Sequence, residues 1–281
     1  MRRLGLGLAL ILSAGSLLAH DGGHGDITAD CSPRHYQFGR DRQSVVQREE
    51  IPARGLRSLK VTAENGPVSV KGGNEYSIVV CKAAEDEAAL RDVRVSLRGN
   101  ELSAEGPSDG RWTVAYQITV PRGAELDVQT ENGPIAMREI DGRVTAHATN
   151  GPISIKDIRG DVDAKTTNGP ISITGRGGNV KAIASNGPVS VKLEGESWGG
   201  SLEARTSNGP LSVKVPRGYA TGVVIETDGH GPVSCNFDGC DEVRRAQREG
   251  RHRDAQRFEL GSGPRNVRLS TSNGPLTIRE E

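Results

Sequence analysis

Four groups of residues in this chain could do chemistry. The first is His20, Asp21, His24 and Asp26, close together near the start. In a chain beginning at His20, its amine and imidazole could chelate copper or zinc with His24. A mobile polar tail explains the same residues. The second is Arg159, Gly160 and Asp161, which spell a cell-attachment tripeptide but also fall where a tight turn is expected. The third is a set of carboxylates, among them Asp141, Asp157, Asp161 and Asp163. Cleaving a glycosidic bond needs a spaced carboxylate pair, or a base beside a charge-stabilising partner. These acids are interspersed with Arg and Lys, and none recurs as a constellation. No G-x-S-x-G, H-E-x-x-H or phosphate-loop motif is present. The fourth group is the one that repeats. Ser154, Ser172, Ser190 and Ser212 recur at one position of a repeated unit, with Arg138, Lys156, Thr174, Lys192 and Lys214 two residues further along it. Hydroxyls beside cations are the chemistry of weak, multiple contacts to an anionic polymer. They also suit a solvated face whose lysines discourage edge pairing.

What aligns this fourth group is a tripeptide. N-G-P begins at Asn65, Asn132, Asn150, Asn168, Asn186, Asn208 and Asn273, and a variant H-G-P begins at His230. From Asn132 to Asn186 the spacing is 18 residues, and then 22 to Asn208 and 22 to His230. Six, four and two residues before each Asn stands a small or apolar residue, such as Val162, Ala164 and Thr166 before Asn168. Three and five residues after it stand two aliphatics, such as Ile171 and Ile173. Alternation at period two marks half-buried strands. Each unit therefore holds two short strands, joined by T-N-G-P and closed by a second turn such as DIRGD or GRGGN. Asn and Gly tolerate positive φ, and Pro, lacking an N–H, fits the first position of the next strand. A two-residue hairpin in a meander would satisfy the same local pattern. Equal repeat lengths favour a solenoid, because each coil must stack in register on the last. Stacking would set Asn132, Asn150, Asn168, Asn186 and Asn208 in a ladder of side-chain amides.

Composition agrees with a thin fold. Aromatic residues make up 3% of the 281, with Gly at 37 and Pro at 14, which suits a narrow, turn-rich β core. A formal net charge of zero from 36 basic and 36 acidic residues provides no global field for nucleic acid or an anionic membrane. Arg2 and Arg3 precede an apolar run, Leu4 to Leu18, short for a membrane span and of the kind removed as a secretory leader. Residues 1–19 are read as that leader, 20–45 as a polar, loosely ordered segment, and 46–281 as the repeat domain. Within it, residues 72–130 interrupt the repeat and contain a short helical candidate, EDEAALRDV; residues 236–262 form a charged insertion, either helix or loop. Four cysteines in an exported chain favour disulfides. Cys235 and Cys240 could close locally, leaving Cys31 with Cys81, but three connectivities are open.

The strand–N-G-P–strand units, the segment LKVTAENGPVSV and the run ITVPRGAELDVQTENGPI resemble the putative-adhesin family of bacterial envelope proteins, β-strand-repeat domains of unknown function. The resemblance covers about residues 46–281. It implies an exported, right-handed or related β-solenoid with no established catalytic residues. The expectation is an all-β solenoid of 18–22-residue rungs, without cofactor or metal, acting as a periplasmic, cell-surface or extracellular module. Its expected partner is envelope or extracellular polysaccharide, met through Arg138, Lys156, Lys192, Lys214 and the serine column. The alternative is a carbohydrate-active enzyme, a lyase or glycosidase, on the same scaffold.

Overall fold

The structure, a computed structural model, describes residues 31–38, 44–108, 110–195, 198–217, 219, 222–228, 231–237, 239–249, 255–261 and 263–281. Residues 1–19, read above as a leader, the His20/His24 group and His230 lie outside the described residues. In chain order the strands begin β1 (Val45–Ile51), β2 (Ser58–Asn65), β3 (Val68–Gly73) and β4 (Ser77–Ala84). Helix α1 (Glu87–Asp92) follows, then β5 (Arg94–Arg98), β6 (Glu101–Glu105) and β7 (Trp112–Pro121). The regular rungs are β8 (Glu125–Asn132) with β9 (Ile135–Arg138), β10 (Val144–Asn150) with β11 (Ile153–Ile158), and β12 (Val162–Asn168) with β13 (Ile171–Gly175). They continue as β14 (Val180–Asn186) with β15 (Val189–Leu193), and β16 (Leu202–Asn208) with β17 (Leu211–Val215). The chain ends in β18 (Val223–Thr227), β19 (Val233–Asn236), α2 (Asp241–Arg248), β20 (Gln256–Leu260), β21 (Val267–Asn273) and β22 (Leu276–Glu280).

Each rung contributes one strand to each of two 11-stranded sheets. Rung-to-rung pairing is parallel and in register. Val144 stands opposite Val162, Val162 opposite Val180, and Val180 opposite Leu202. Ile153, Ile171, Val189 and Leu211 align likewise in the other sheet. Parallel pairing between units identifies the solenoid and excludes the meander, whose neighbours would be antiparallel. The core is the gap between the sheets. Ala146, Ala164, Ala182 and Ala204 line one side, and Ile155, Ile173, Val191 and Val213 the other, all buried. Small residues facing branched ones let the sheets interdigitate, and each buried Ile or Val contributes about 1.5–3 kcal/mol.

The corner carries the stacking. Each corner Gly N–H donates to the Asn carbonyl of the next rung, as from Gly151 to Asn168 and Gly169 to Asn186, both at 2.9 Å. The side chains run the other way, each Asn Nδ2 donating to the Oδ1 one rung back. These bonds span 2.9–3.1 Å from Asn132→Asn65 through Asn150, Asn168, Asn186 and Asn208 to Asn273→Asn208. The small residue two before the Asn is buried beneath the corner. Thr166, Thr206 and Thr271 donate from there to the Gly carbonyl of the adjacent rung, Gly151, Gly187 and Gly209, at 3.1, 2.8 and 3.5 Å, whereas the buried Thr130 hydroxyl finds no partner among the described residues. The glycine is obligatory for contact as well as φ. Gly169 sits at φ +154°, and a Cβ there would overlap the Gly151 carbonyl.

The structure departs from the sequence reading in four places. Rungs do not all stack in chain order. β21 and β22 lie between β16/β17 and β18/β19, so the last rung in sequence is not the last in space. Segment 72–130 is the N-terminal end of the same sheets. β4 pairs antiparallel with β1 and β7, β7 joins β3 in parallel, and α1 is capped by Asp86 accepting from Ala89 N–H at 2.8 Å. Residues 31–38, expected to be loosely ordered, pack on the outer side of this end. Buried Tyr36 meets Cys81, Ala83 and Ala115, which alternation turns away from the main core. The 236–262 segment is α2 followed by a strand, β20, antiparallel to β18.

The corner geometry makes a paired prediction. Gly177, at φ +75°, has open space where a Cβ would go. Gly177→Ala should cost about 1 kcal/mol in backbone strain. Gly169→Ala must separate two rungs and should cost roughly 3 kcal/mol or more. Urea midpoints of the two variants check the difference.

Candidate functional site

Alternation turns every second residue after the corner Asn outward from the sheet containing β3, β9, β11, β13, β15, β17, β22 and β19. Three columns result. The first is proline at the corner, with Pro152, Pro170, Pro188, Pro210, Pro275 and Pro232 exposed. Its missing N–H costs nothing there, while its carbonyl still accepts, as Pro170 does from Ile153 at 2.9 Å. The second is hydroxyl. Ser154, Ser172, Ser190 and Ser212 stand in register, continued by Thr277 and Ser234 at one end. At the other end Ala136 separates Ser154 from Ser69. The third is basic: Lys71, Arg138 and Lys156 stand in register, and Thr174, Lys192, Lys214 and Arg279 form a second run.

The two basic runs are offset by a bulge. Register shifts between Ile155 and Ile158, where Asp157 adopts φ +54°. Glu139 repeats that conformation one rung earlier, at φ +57°. The extra residue lets Ile140 and Ile158 reach the core eight residues after the Asn, where Leu193 and Val215 do so after seven.

Lys71 and Arg279 occupy the same place in their units as Lys156 does, six residues after Asn65 and Asn273. The motif position was sufficient to find them, but the sequence reading followed only the contiguous repeats. Charge is uneven along the column. Lys192 pairs with Glu194 at 2.9 Å and Glu281 at 2.5 Å. Its hydrogen bonds to the Glu281 and then the Glu194 carboxylate push the pKa of its ammonium up. The bond from Lys192 holds Glu194 below the usual carboxylate range, with Arg176 nearby at 3.6 Å. Glu281 is itself anchored, its N–H donating to Val215 and its carbonyl accepting from Arg217 Nε at 2.8 Å. Lys192 is therefore neutralised in place, whereas Lys71, Lys156, Lys214 and Arg279 form no ion pair with the described residues.

The second turn has its own ladder. The residue before each first strand, in the order Arg143, Asp161, Asn179 and Ser201, bonds to its neighbour along the stack. Asp161 accepts from Asn179 N–H at 2.9 Å, from Asn179 Nδ2 at 3.1 Å and from Arg143 at 3.4 Å. Asn179 Oδ1 accepts from the Ser201 hydroxyl at 2.8 Å. The carboxylate of the Arg159–Asp161 tripeptide is thus engaged in the stack. Asp141 lies 3.8 and 3.9 Å from Arg122 and Arg159, and Asp163 lies 3.9 Å from His147. Among the described residues no group of three or more His, Cys, Asp or Glu could hold a metal, and no helix is long and apolar enough to cross a membrane.

The cystines are Cys31–Cys81 and Cys235–Cys240, with Cα separations of 5.3 and 5.7 Å. The first fastens residues 31–38 across the outer side of β4 and β7, so the open face begins at β3. The second ties β19, the last strand of that face, to the start of α2.

A family model described as Toastrack DUF4097 matches residues 17–231. Among solved structures, the chain is similar to a "putative adhesin" from Bacteroides fragilis NCTC 9343. Identity is 8%, the match covers 86% of this chain and 98% of the other, and the TM-score is 0.40. It is also similar to a "putative cell adhesion protein" from Clostridium sporogenes ATCC 15579, at 11% identity, 85% and 100% coverage and a TM-score of 0.30. No curated protein matches it.

The Lys192 cluster has a defined pH dependence. With Glu194 depressed in the folded state, its stabilisation is complete above the unfolded Glu value of about 4.3 and is lost as pH falls through the folded pKa. With Lys192 raised, its share is complete below about 10.4 and is lost as pH rises through its folded pKa. Lys192→Met should therefore lower the urea midpoint at neutral pH, and the gap from the parent should shrink below about pH 4. A gap constant from neutral to strongly acidic pH would contradict this assignment.

Proposed function

The chain belongs to the Toastrack DUF4097 family, and from that premise we propose that it is an exported, non-catalytic envelope module that binds an anionic polysaccharide along its proline–hydroxyl–lysine face. The observation that carries this reading is the parallel run of the three columns, repeated at about 4.8 Å per rung. That step is on the scale of one sugar unit in a linear chain. Prolines offer an apolar ridge to a sugar's C–H face, hydroxyls offer hydrogen bonds, and lysines offer charge. Each contact is weak at an exposed surface, and repetition supplies the affinity.

Two disulfides support an oxidising, extracytoplasmic setting, as does the leader-like segment of the sequence. Of the candidate carboxylates, Asp141 lies beside Arg122 and Arg159 and Asp161 is held in the turn ladder. A rigid scaffold with an open, flat, periodic face suits holding a polymer better than enclosing a reacting bond.

Binding of fluorescently labelled polygalacturonate, with dextran as the neutral control, tests the reading. The parent should bind the polyuronate, lose it steeply with added salt and ignore dextran. Replacing Lys71, Lys156, Lys214 and Arg279 together by Ala should weaken binding roughly 30-fold, at about 0.5 kcal/mol per exposed contact. Lys192→Ala should change it little. Unchanged binding in the fourfold variant would remove the face from the account. Release of reducing ends or unsaturated products would replace binding with catalysis.

A further inference from the structure

We propose that the rung formed by β21 and β22 is exchangeable between molecules, so that the slot between β16/β17 and β18/β19 takes the same rung from a second copy of this chain. The inference rests on the order of the strands and is independent of the polysaccharide reading.

Every other described rung from β8 to β17 is laid down on the one before it. β21–β22 is not. The chain leaves β17, passes over one vacant position to form β18 and β19, adds α2 and β20, and only then returns to fill the gap. Until it arrives, β16 and β17 on one side and β18 and β19 on the other present unpaired edges. The rung closes both. Leu211 N–H donates to Pro275 and Gly209 N–H to Asn273, each at 2.9 Å, while Leu276 N–H donates to Pro232 at 3.0 Å. Val267, Leu269, Leu276 and Ile278 are buried between the sheets. Asn273 Nδ2 completes the ladder to Asn208 at 2.9 Å.

Nothing in these contacts marks the rung as belonging to its own chain. The bonds across the slot are backbone bonds, the Asn–Asn bond, the Thr271 hydroxyl to the Gly209 carbonyl, and the contacts of Glu281 with Lys192 and Arg217, all of which a second copy offers identically. The low cost of trading an identical element is what makes such exchange accessible. The connection also permits it. Leu260 and Val267 both stand in register with Val223, on opposite sides of it. They are therefore about 9.6 Å apart. The linker between them, GSGPRN, must pass around the start of β18, where Gly222 N–H donates to Pro264 at 3.0 Å. Extended, those residues reach about 20 Å, enough to deliver the rung to a neighbouring molecule. Shortened, they could not turn around β18 and the rung could enter only a partner.

The test uses the full chain with both disulfides oxidised. Ser212→Cys and Thr277→Cys place thiols on neighbouring strands across the slot, on paired outward positions. A short bis-maleimide then reports whether those two strands come from one chain or two. In the parent linker at low concentration, the cross-link should be intramolecular and the protein monomeric by gel filtration. After refolding at rising concentration, a dimer should appear that the reagent converts to covalent dimer. Deleting Gly261 to Pro264 in the same background should shift most of the protein to that interchain-linked dimer. A folded monomer from the deletion variant, or dimers linked only within chains, would overturn the proposal. Should the deletion variant fail to fold, the refolding series decides alone, and absence of interchain-linked dimer at every concentration overturns it.

Discussion

The structure depends on a hydrogen bond that only glycine permits. At each corner the Gly N–H meets the Asn carbonyl of the next rung, at a separation that leaves no room for a Cβ. That contact holds successive rungs at one ladder spacing where side chains would otherwise hold them apart. The Asn amides, donating in the opposite direction, tie the same corners a second time. Buried polar groups are costly unless paired, and between rungs the Gly N–H pairs with the Asn carbonyl and the Asn amide with its own equivalent. Unit length is held by the turns: the units with bulges at Glu139 and Asp157 have the same 18-residue length as the unit from Asn168 to Asn186, and the 22-residue unit from Asn186 to Asn208 takes its extra residues between β15 and β16.

Once the corners are aligned, the two faces of each strand separate chemically. In the regular rungs inward strand positions need only fill a thin gap, which Ala, Val, Ile and Leu do, while aromatics such as Trp112, Tyr116 and Phe258 enter the core towards the two ends. Outward positions are released from packing and fall into columns, so a modest preference for Ser or Lys at one site becomes a strip along the stack. The charge of that strip is then modulated from a distance. Glu281, which follows β22, reaches Lys192 two strands away because β22 lies next to β17. The insertion of the final rung thereby joins β16 and β17 to β18 and β19 and also sets the electrostatics of the open face.

Much of this was legible in the residues. The small residues before each Asn and the aliphatics after it specify strand, corner and inward face, and equal spacing specifies parallel stacking. The order of the rungs was not legible, for a physical reason. Val267–Leu269–Thr271 and Leu202–Ala204–Thr206 present the same pattern, so any rung fits beside any other and local chemistry cannot say which neighbours which. The packing of residues 31–38 depends on Cys81 and Ala115 facing outward, which is visible only once β4 and β7 are placed. The neutralisation of Lys192 was hidden likewise, because Glu281 is remote in sequence. At the second turn, Arg143, Asp161, Asn179 and Ser201 share a position but not a residue type, so their ladder left little pattern to detect.

Amide hydrogen exchange at the corner glycines measures the central contact directly. If the corners are hydrogen-bonded stacks, the N–H groups of Gly151, Gly169 and Gly187 should exchange only through opening of the solenoid, with protection matching the adjacent core strands. Gly177, at an open turn, should exchange freely. Exchange of Gly151, Gly169 and Gly187 as fast as Gly177 would show solvated turns at the corners, and would contradict the account of how this chain holds its register.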